Sequence, residues 1–191
     1  MRLALAALLV LAACRLAGVP PTPFHLSNAT MTPLYDFRTD TADGWFIVND
    51  GVMGGHSDGH VAREAGALVF SGTLVTRDGG FTATRVDKEA DLSGTSAVEL
   101  VVRGDGRTYD LELSDGVYRQ GEMVSRTAPF ETTGERQTVR VLFAALDATV
   151  FGEPVDVPTF DPAALTGVGI FIADGHDGPF RLEVESMRAV K

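Results

Sequence analysis

Hydrophobic and polar residues alternate at period two in several stretches of the chain. In Val98 to Arg103, the residues Val98, Leu100 and Val102 fall on one face, opposite Glu99, Val101 and Arg103. In Tyr109 to Ser114, the residues Tyr109, Leu111 and Leu113 oppose Asp110, Glu112 and Ser114. This is the pattern of a strand with one face buried. It recurs in Gln137 to Phe143, with Val139, Val141 and Phe143 inward, and in Phe180 to Met187, with Phe180, Leu182 and Val184 inward. Leu34 to Phe37, Trp45 to Val48, Ala67 to Phe70, Phe81 to Val86 and Val168 to Ala173 read as further strands. Many short strands divided by turn signals predict an all-β fold, an antiparallel sandwich. Helix is scarce. Asp161 before Pro162 is an N-cap followed by proline at the first helical position, which predicts one short helix over Asp161 to Leu165, and Phe143 to Val150 has room for a turn or two.

Composition sharpens this picture. Of the 21 glycines, eight follow an aspartate, at Asp43, Asp50, Asp58, Asp78, Asp105, Asp115, Asp174 and Asp177, and such pairs suit tight turns that need positive φ. A length of 191 residues is that of one domain plus appendages, and 45% hydrophobic with 22% charged residues excludes a disordered or polytopic membrane chain. A formal charge of −10 excludes nucleic acid as a partner, because phosphate binding relies on clustered Lys and Arg.

The single cysteine, Cys14, lies at the end of a short basic and apolar leader. Met1-Arg2 precedes the apolar run Leu3 to Leu11, and Ala12-Ala13 stand before the thiol, as at a cleavage point. That run is too short to span a bilayer, which takes about 20 apolar residues. Leu11-Ala12-Ala13-Cys14 resembles the lipobox of bacterial lipoprotein signal peptides. The expectation is a signal peptide over residues 1–13, a lipidated Cys14 and a tether over 14–33, in which Pro20, Pro21, Pro23 and Pro33 stand among small and polar residues. The domain is expected to occupy residues 34–191. It would then hang from the cell membrane or outer membrane, outside the cytoplasm, with the membrane itself as one partner.

The densest segment is Trp45 to Ser57, where a strand runs into Asn49-Asp50-Gly51 and then Gly54-Gly55. It has neither the Lys of a phosphate loop nor the spacing of a dinucleotide fingerprint. The string Val48-Asn49-Asp50-Gly51-Val52-Met53-Gly54-Gly55-His56-Ser57, with Trp45 ahead of it, resembles the signature of the complex I intermediate-associated protein 30 family. Leu68 to Gly72, Gly79-Gly80-Phe81, Asp91 to Gly94, Arg103 to Tyr109 and Gly178 to Val184 follow in matching order. Arg136 and Val141-Leu142-Phe143 depart from the pattern, standing where the family carries a Trp and a Pro-Phe pair.

The resemblance implies a galactose-binding-like jelly roll and a non-enzymatic factor that assists assembly of membrane protein complexes, with respiratory complex subunits as protein partners. The alternative is a module that binds a glycan or another cell-envelope ligand through loops at one end of the jelly roll. The candidate binding residues are Trp45, Asn49, Asp50, Met53, Gly54, Gly55 and Ser57, with Arg103, Asp105, Arg107 and Tyr109 in a second cluster. Trp45 and Tyr109 are candidate stacking platforms for a sugar ring. Arg103, Asp105 and Arg107 form a surface group if they face the same way, within a strand, turn and return strand. Asp50→Asn is expected to change stability little if Asp50 only shapes a turn. His25, His56, His60 and His176 are too scattered for a zinc spacing, and no Gly-x-Ser-x-Gly elbow is present. No catalytic residue, metal or cofactor is expected.

Overall fold

The computed structural model describes residues 31–191; the expected signal peptide, Cys14 and the expected tether as far as residue 30 lie outside the described residues. Six strands form one sheet: β1 (Met31–Asp36), β3 (Asp58–Glu64), β4 (Ala67–Leu74), β6 (Ala97–Arg103), β11 (Arg136–Leu142) and β15 (Gly178–Val190). Seven form another: β2 (Phe46–Asn49), β5 (Thr82–Ala90), β7 (Thr108–Ser114), β10 (Ser125–Glu131), β12 (Asp147–Val150), β13 (Glu153–Pro154) and β14 (Leu165–Ile172). A small hairpin, β8 (Tyr118–Arg119) with β9 (Glu122–Met123), stands apart. The strand orders are β11-β6-β15-β4-β3 and β13-β12-β10-β7-β14-β5-β2.

The long last strand organises the first sheet. β15 pairs with β4 from Gly178 to Val184 and, on the same edge, with β1 from Ser186 to Val190, while β6 takes its other edge. The register shifts between Val184 and Ser186, and the carbonyl of Glu185 accepts the Phe37 N–H at 2.9 Å. Leu68, Phe70, Leu100, Val102, Leu182 and Val184 of this sheet belong to the same core as Tyr109, Leu111, Leu113, Val168, Ile170 and Ile172 of the other. Each such side chain buried contributes roughly 1.5–3 kcal/mol.

Several boundaries differ from the sequence reading. β1 begins at Met31, inside the segment read as tether, because Pro33 is tolerated beside a register shift between Pro33 and Tyr35. β3 is an edge strand with little apolar alternation, and β10 contains Pro129, so neither was legible as a strand. β12 pairs only with Ser125 to Thr127, which leaves Pro129 on an open edge where its missing N–H costs no ladder bond. The expected helix near Asp161 is a single 3₁₀ turn, Pro162–Ala164, capped by the Asp161 side chain accepting from Ala163 N at 2.9 Å. Phe143 to Val150 holds one 3₁₀ turn, Phe143–Ala145, and then β12.

Strand direction gives the sandwich two ends. β6 runs from Ala97 to Arg103, β7 returns from Thr108 to Ser114, and β10 and β11 repeat the excursion. Arg103 to Thr108 and Thr132 to Glu135 thus lie at one end, joined where the Thr132 hydroxyl donates to Arg107 O at 2.8 Å and accepts Gly106 N–H at 3.0 Å. Met31, Ala97, Ser114 and Leu142 lie at the other, the end at which the described residues begin. There Arg126 and Asp115, both sealed from solvent, pair at 2.9 Å; Arg126 also donates to Pro158 O at 2.8 Å, and Asp115 accepts Asp161 N–H at 3.2 Å. This buried pair pins the segment before β14 to the sheet.

Candidate functional site

The end remote from Met31 gathers the segments that the sequence marked. Asp50 is fully buried, and its carboxylate accepts from Ser57 N at 3.0 Å, Ser57 Oγ at 2.7 Å, Gly80 N at 2.7 Å and Phe81 N at 3.3 Å. Burial pushes the Asp50 pKa up, but these four donors outweigh it and hold it below the usual carboxylate value. Asn49 works the same way, its Oδ1 accepting from Thr82 Oγ1 at 2.6 Å and Gly59 N at 3.1 Å. A Cβ on Gly55 would sit 2.2 Å from Asp50 Cγ, and one on Gly79 would sit 2.4 Å from its Oδ2. Gly54 is needed for a different reason, its φ of +90° closing the 3₁₀ turn Asp50–Met53. Asn49, Asp50, Gly54, Gly55 and Ser57 therefore form an internal latch between two loops, and Asp50 is an anion held by converging donors rather than a residue that only shapes a turn. Met53 alone of this group projects outward, 63% exposed.

In the second cluster the charged side chains of Arg103, Asp105 and Arg107 form no ion pair with one another; among these three only the backbone N–H of Arg107 reaches Asp105, at 3.2 Å. Arg107 reaches Asp174 with two bonds, at 2.6 and 2.9 Å, and donates to the carbonyls of His176, Gly178 and Pro179. The guanidinium holds the Asp174 carboxyl below its usual range. Asp105 accepts from the Tyr109 hydroxyl at 3.0 Å and from Arg181 N at 2.7 Å. Tyr109 is wholly in the core, where burial, with Asp105 nearby, pushes its phenol well above its ordinary pKa. Arg103 is exposed at the end of β6. Trp45 packs edge-on to Tyr35 and Phe37 inside the sandwich. Neither Trp45 nor Tyr109 offers a ring face to solvent.

A groove of about 480 Å³ lies elsewhere, on the outer face of the seven-stranded sheet. Register places Phe46, Arg85, Gly169, Glu112, Thr127 and Asp147 side by side across β2, β5, β14, β7, β10 and β12. The next row holds Asp87, Gly167 and Ser114. Phe46, 47% exposed, stands at one side, and Tyr118, 63% exposed, stands with Met123 on the β8–β9 hairpin at the other. Between them Arg85 Nε donates to Glu112 Oε2 at 2.8 Å, and Ser125 Oγ donates to Glu112 Oε1 at 2.7 Å. Gly167 and Gly169 leave the floor without side chains; the backbone is open to a ligand at Gly167, while at Gly169 the Arg85–Glu112 pair lies over it.

One row along, Asp110 has its pKa raised to about 6 by burial and by the Glu112 carboxylate on the same face. Sequence reasoning missed these residues because Phe46 and Arg85 sat inside predicted strands, and only register reveals which strands become neighbours. The alternation of Glu112 with Leu111 and Leu113 was the available signal.

Residues 35–184 match the family described as complex I intermediate-associated protein 30. The chain belongs to that family. No curated protein matches it. Among solved structures, this complex I intermediate-associated protein 30 domain is similar to a family 11 carbohydrate-binding module from Clostridium thermocellum in complex with a β-1,3-1,4-mixed-linked tetrasaccharide. That pair gives a TM-score of 0.65 at 12% identity, covering 84% of this chain and 95% of that one. A family 30 carbohydrate-binding module gives 0.55 at 14% identity, covering 85% and 88%. At these identities the likeness is one of fold, the antiparallel jelly roll of galactose-binding-like modules.

Proposed function

We propose that this protein is a non-catalytic binding module, held to a membrane outside the cytoplasm by lipid on Cys14, that takes an extended glycan in the groove of its seven-stranded sheet. The observation that carries this reading is the groove's make-up: two exposed aromatic rings, Phe46 and Tyr118, flanking a planar guanidinium–carboxylate pair over a glycine floor. Sugar rings present apolar C–H faces to aromatic rings and hydroxyls to fixed polar groups, and sites of this kind combine a few oriented polar groups with apolar walls. The row from β2 to β12 spans about 24 Å, room for several sugar rings. The family 11 neighbour, which has the same fold, is described with a tetrasaccharide, and that supports the choice of ligand class.

Calorimetric titration with glucan oligosaccharides, the mixed-linked tetrasaccharide among them, tests the reading. Phe46→Ala and Tyr118→Ala should each weaken binding roughly tenfold, about 1.4 kcal/mol. Absence of heat at millimolar oligosaccharide and at millimolar cell-wall fragments would sink it.

A second reading, assistance to assembly of a membrane protein complex, follows from the family's description and is favoured by exposed Met53 within the family signature. It predicts that crosslinking in membranes recovers respiratory subunits, and that Met53→Ser lowers that recovery without lowering the melting temperature.

A further inference from the structure

Large apolar side chains stand exposed at seven positions among the described residues, and five of them, Met31, Tyr118, Met123, Leu142 and Phe151, lie at the end where those residues begin. Tyr118 and Met123 serve the groove, which leaves three. Met31 and Leu142 end one row across the six-stranded sheet, Met31–Val190–Ala97–Leu142, apolar throughout and about 14 Å wide, with Val190 and Ala97 buried and the two end residues exposed. The adjoining row is Pro33–Arg188–Glu99–Arg140, in which two half-exposed guanidiniums flank one carboxylate. An apolar rim backed by arginines is unusual on a chain of formal charge −10. Phe151 occupies the hairpin between β12 and β13 with φ of +51° and is 78% exposed. Asn, Asp or Gly would take that conformation at less cost, so folding gives no reason for an exposed phenylalanine there.

We propose that this end is a membrane-docking face: Met31, Leu142 and Phe151 enter the interface of the phospholipid bilayer, and Arg140 and Arg188 meet lipid phosphates. The chain outside the described residues says why a bilayer is the occupant. It joins the described residues at Met31, on this rim, and Cys14 lies only seventeen positions before Met31, so a lipid on Cys14 would hold this end of the domain to the bilayer. Apolar side chains at interface depth with arginines reaching the phosphate level are how a monotopic face binds lipid. The inference rests on the anchoring of Cys14, and the experiment separates the two.

Cys14 is the sole thiol, so coupling it to maleimide-bearing lipid in phosphatidylcholine–phosphatidylglycerol vesicles fixes the same tether whether or not the cell lipidates it. Tryptophan placed by Phe151→Trp or Leu142→Trp is read against quenching by lipids with a nitroxide near the headgroup. Met53→Trp, at the remote end, is the control, and Trp45 is a buried constant background. Quenching at 142 and 151 should exceed that at 53 roughly threefold or more, and Arg140→Gln with Arg188→Gln should reduce the difference. In the unsubstituted protein, amide exchange at 140–143 and 150–153 should slow on vesicles. Equal quenching at both ends, with exchange unchanged, overturns the docking face, whereas mass spectrometry of Cys14 from the producing cell reports separately on lipidation.

Discussion

Arg85 Nε lies 2.8 Å from Glu112 Oε2 although β14 runs between the strands that carry them. The span is possible because Gly169 sits between them: a Cβ there would come within 3.0 Å of the Thr84 carbonyl oxygen, 3.1 Å of Arg85 Cγ and 3.2 Å of Glu112 Oε2. Gly169→Ala should therefore push the pair apart and press on the β5 backbone beside it. Oligosaccharide affinity should fall roughly tenfold and the melting temperature should drop, with the protein still folded, measured by calorimetry and thermal unfolding. Unchanged affinity would remove the ion pair from the site.

Asp50→Asn should destabilise by roughly 2–3 kcal/mol, because an amide NH2 would face N–H and O–H donors that now converge on a carboxylate. Gly55→Ala should do the same by intruding on that carboxylate. Since the Asp50 pKa is depressed in the folded state, its contribution is present above the ordinary carboxylate pKa and is lost as pH falls through the folded value. Oligosaccharide binding by the remaining folded protein should be unaffected, which urea titration and calorimetry together would establish.

Asp110 behaves in the opposite sense. Its folded pKa of about 6 lies above its unfolded value, so the native state holds the proton more tightly and stability declines as pH rises from about 4 to about 6. Asp110→Asn should flatten that part of the stability profile and raise the melting temperature at neutral pH. A wild-type profile that climbs over the same interval would contradict it.

Arg126→Ala should cost about 3–5 kcal/mol, since it leaves the Asp115 carboxylate buried without its partner. Replacing both residues by apolar ones of similar size should cost much less. Denaturant midpoints of the single and double variants decide between a pair that stabilises and one that merely must not be broken.

Legibility in the sequence followed burial. β6, β7 and β15 have one face in the core and one outside, so alternation announced them, while β3 on an edge and β10 with its proline carried no such mark. The family signature was visible as a glycine-rich string, but its role was not, because the four donors to Asp50 come from residues seven to thirty-one positions away. The groove was least legible. Phe46, Arg85, Gly169 and Glu112 share nothing along the chain and become a row only through the strand order β2-β5-β14-β7.

The pairing of the first described strand with the last has a mechanical consequence. Met31 lies at the start of β1, and β1 runs inward from there against β15 from Val190 to Ser186. Tension on a lipid anchor would pull Met31 along the strand axis, at right angles to the hydrogen bonds that hold the pair. Such a load is shared by all the bonds at once and must slide one strand past the other, whereas a pull across the strands would open them singly. Were the domain hung from a membrane by this strand, it would thus be gripped in the direction in which β-structure resists force best, and drag on a bound polymer would load the joint in that same direction.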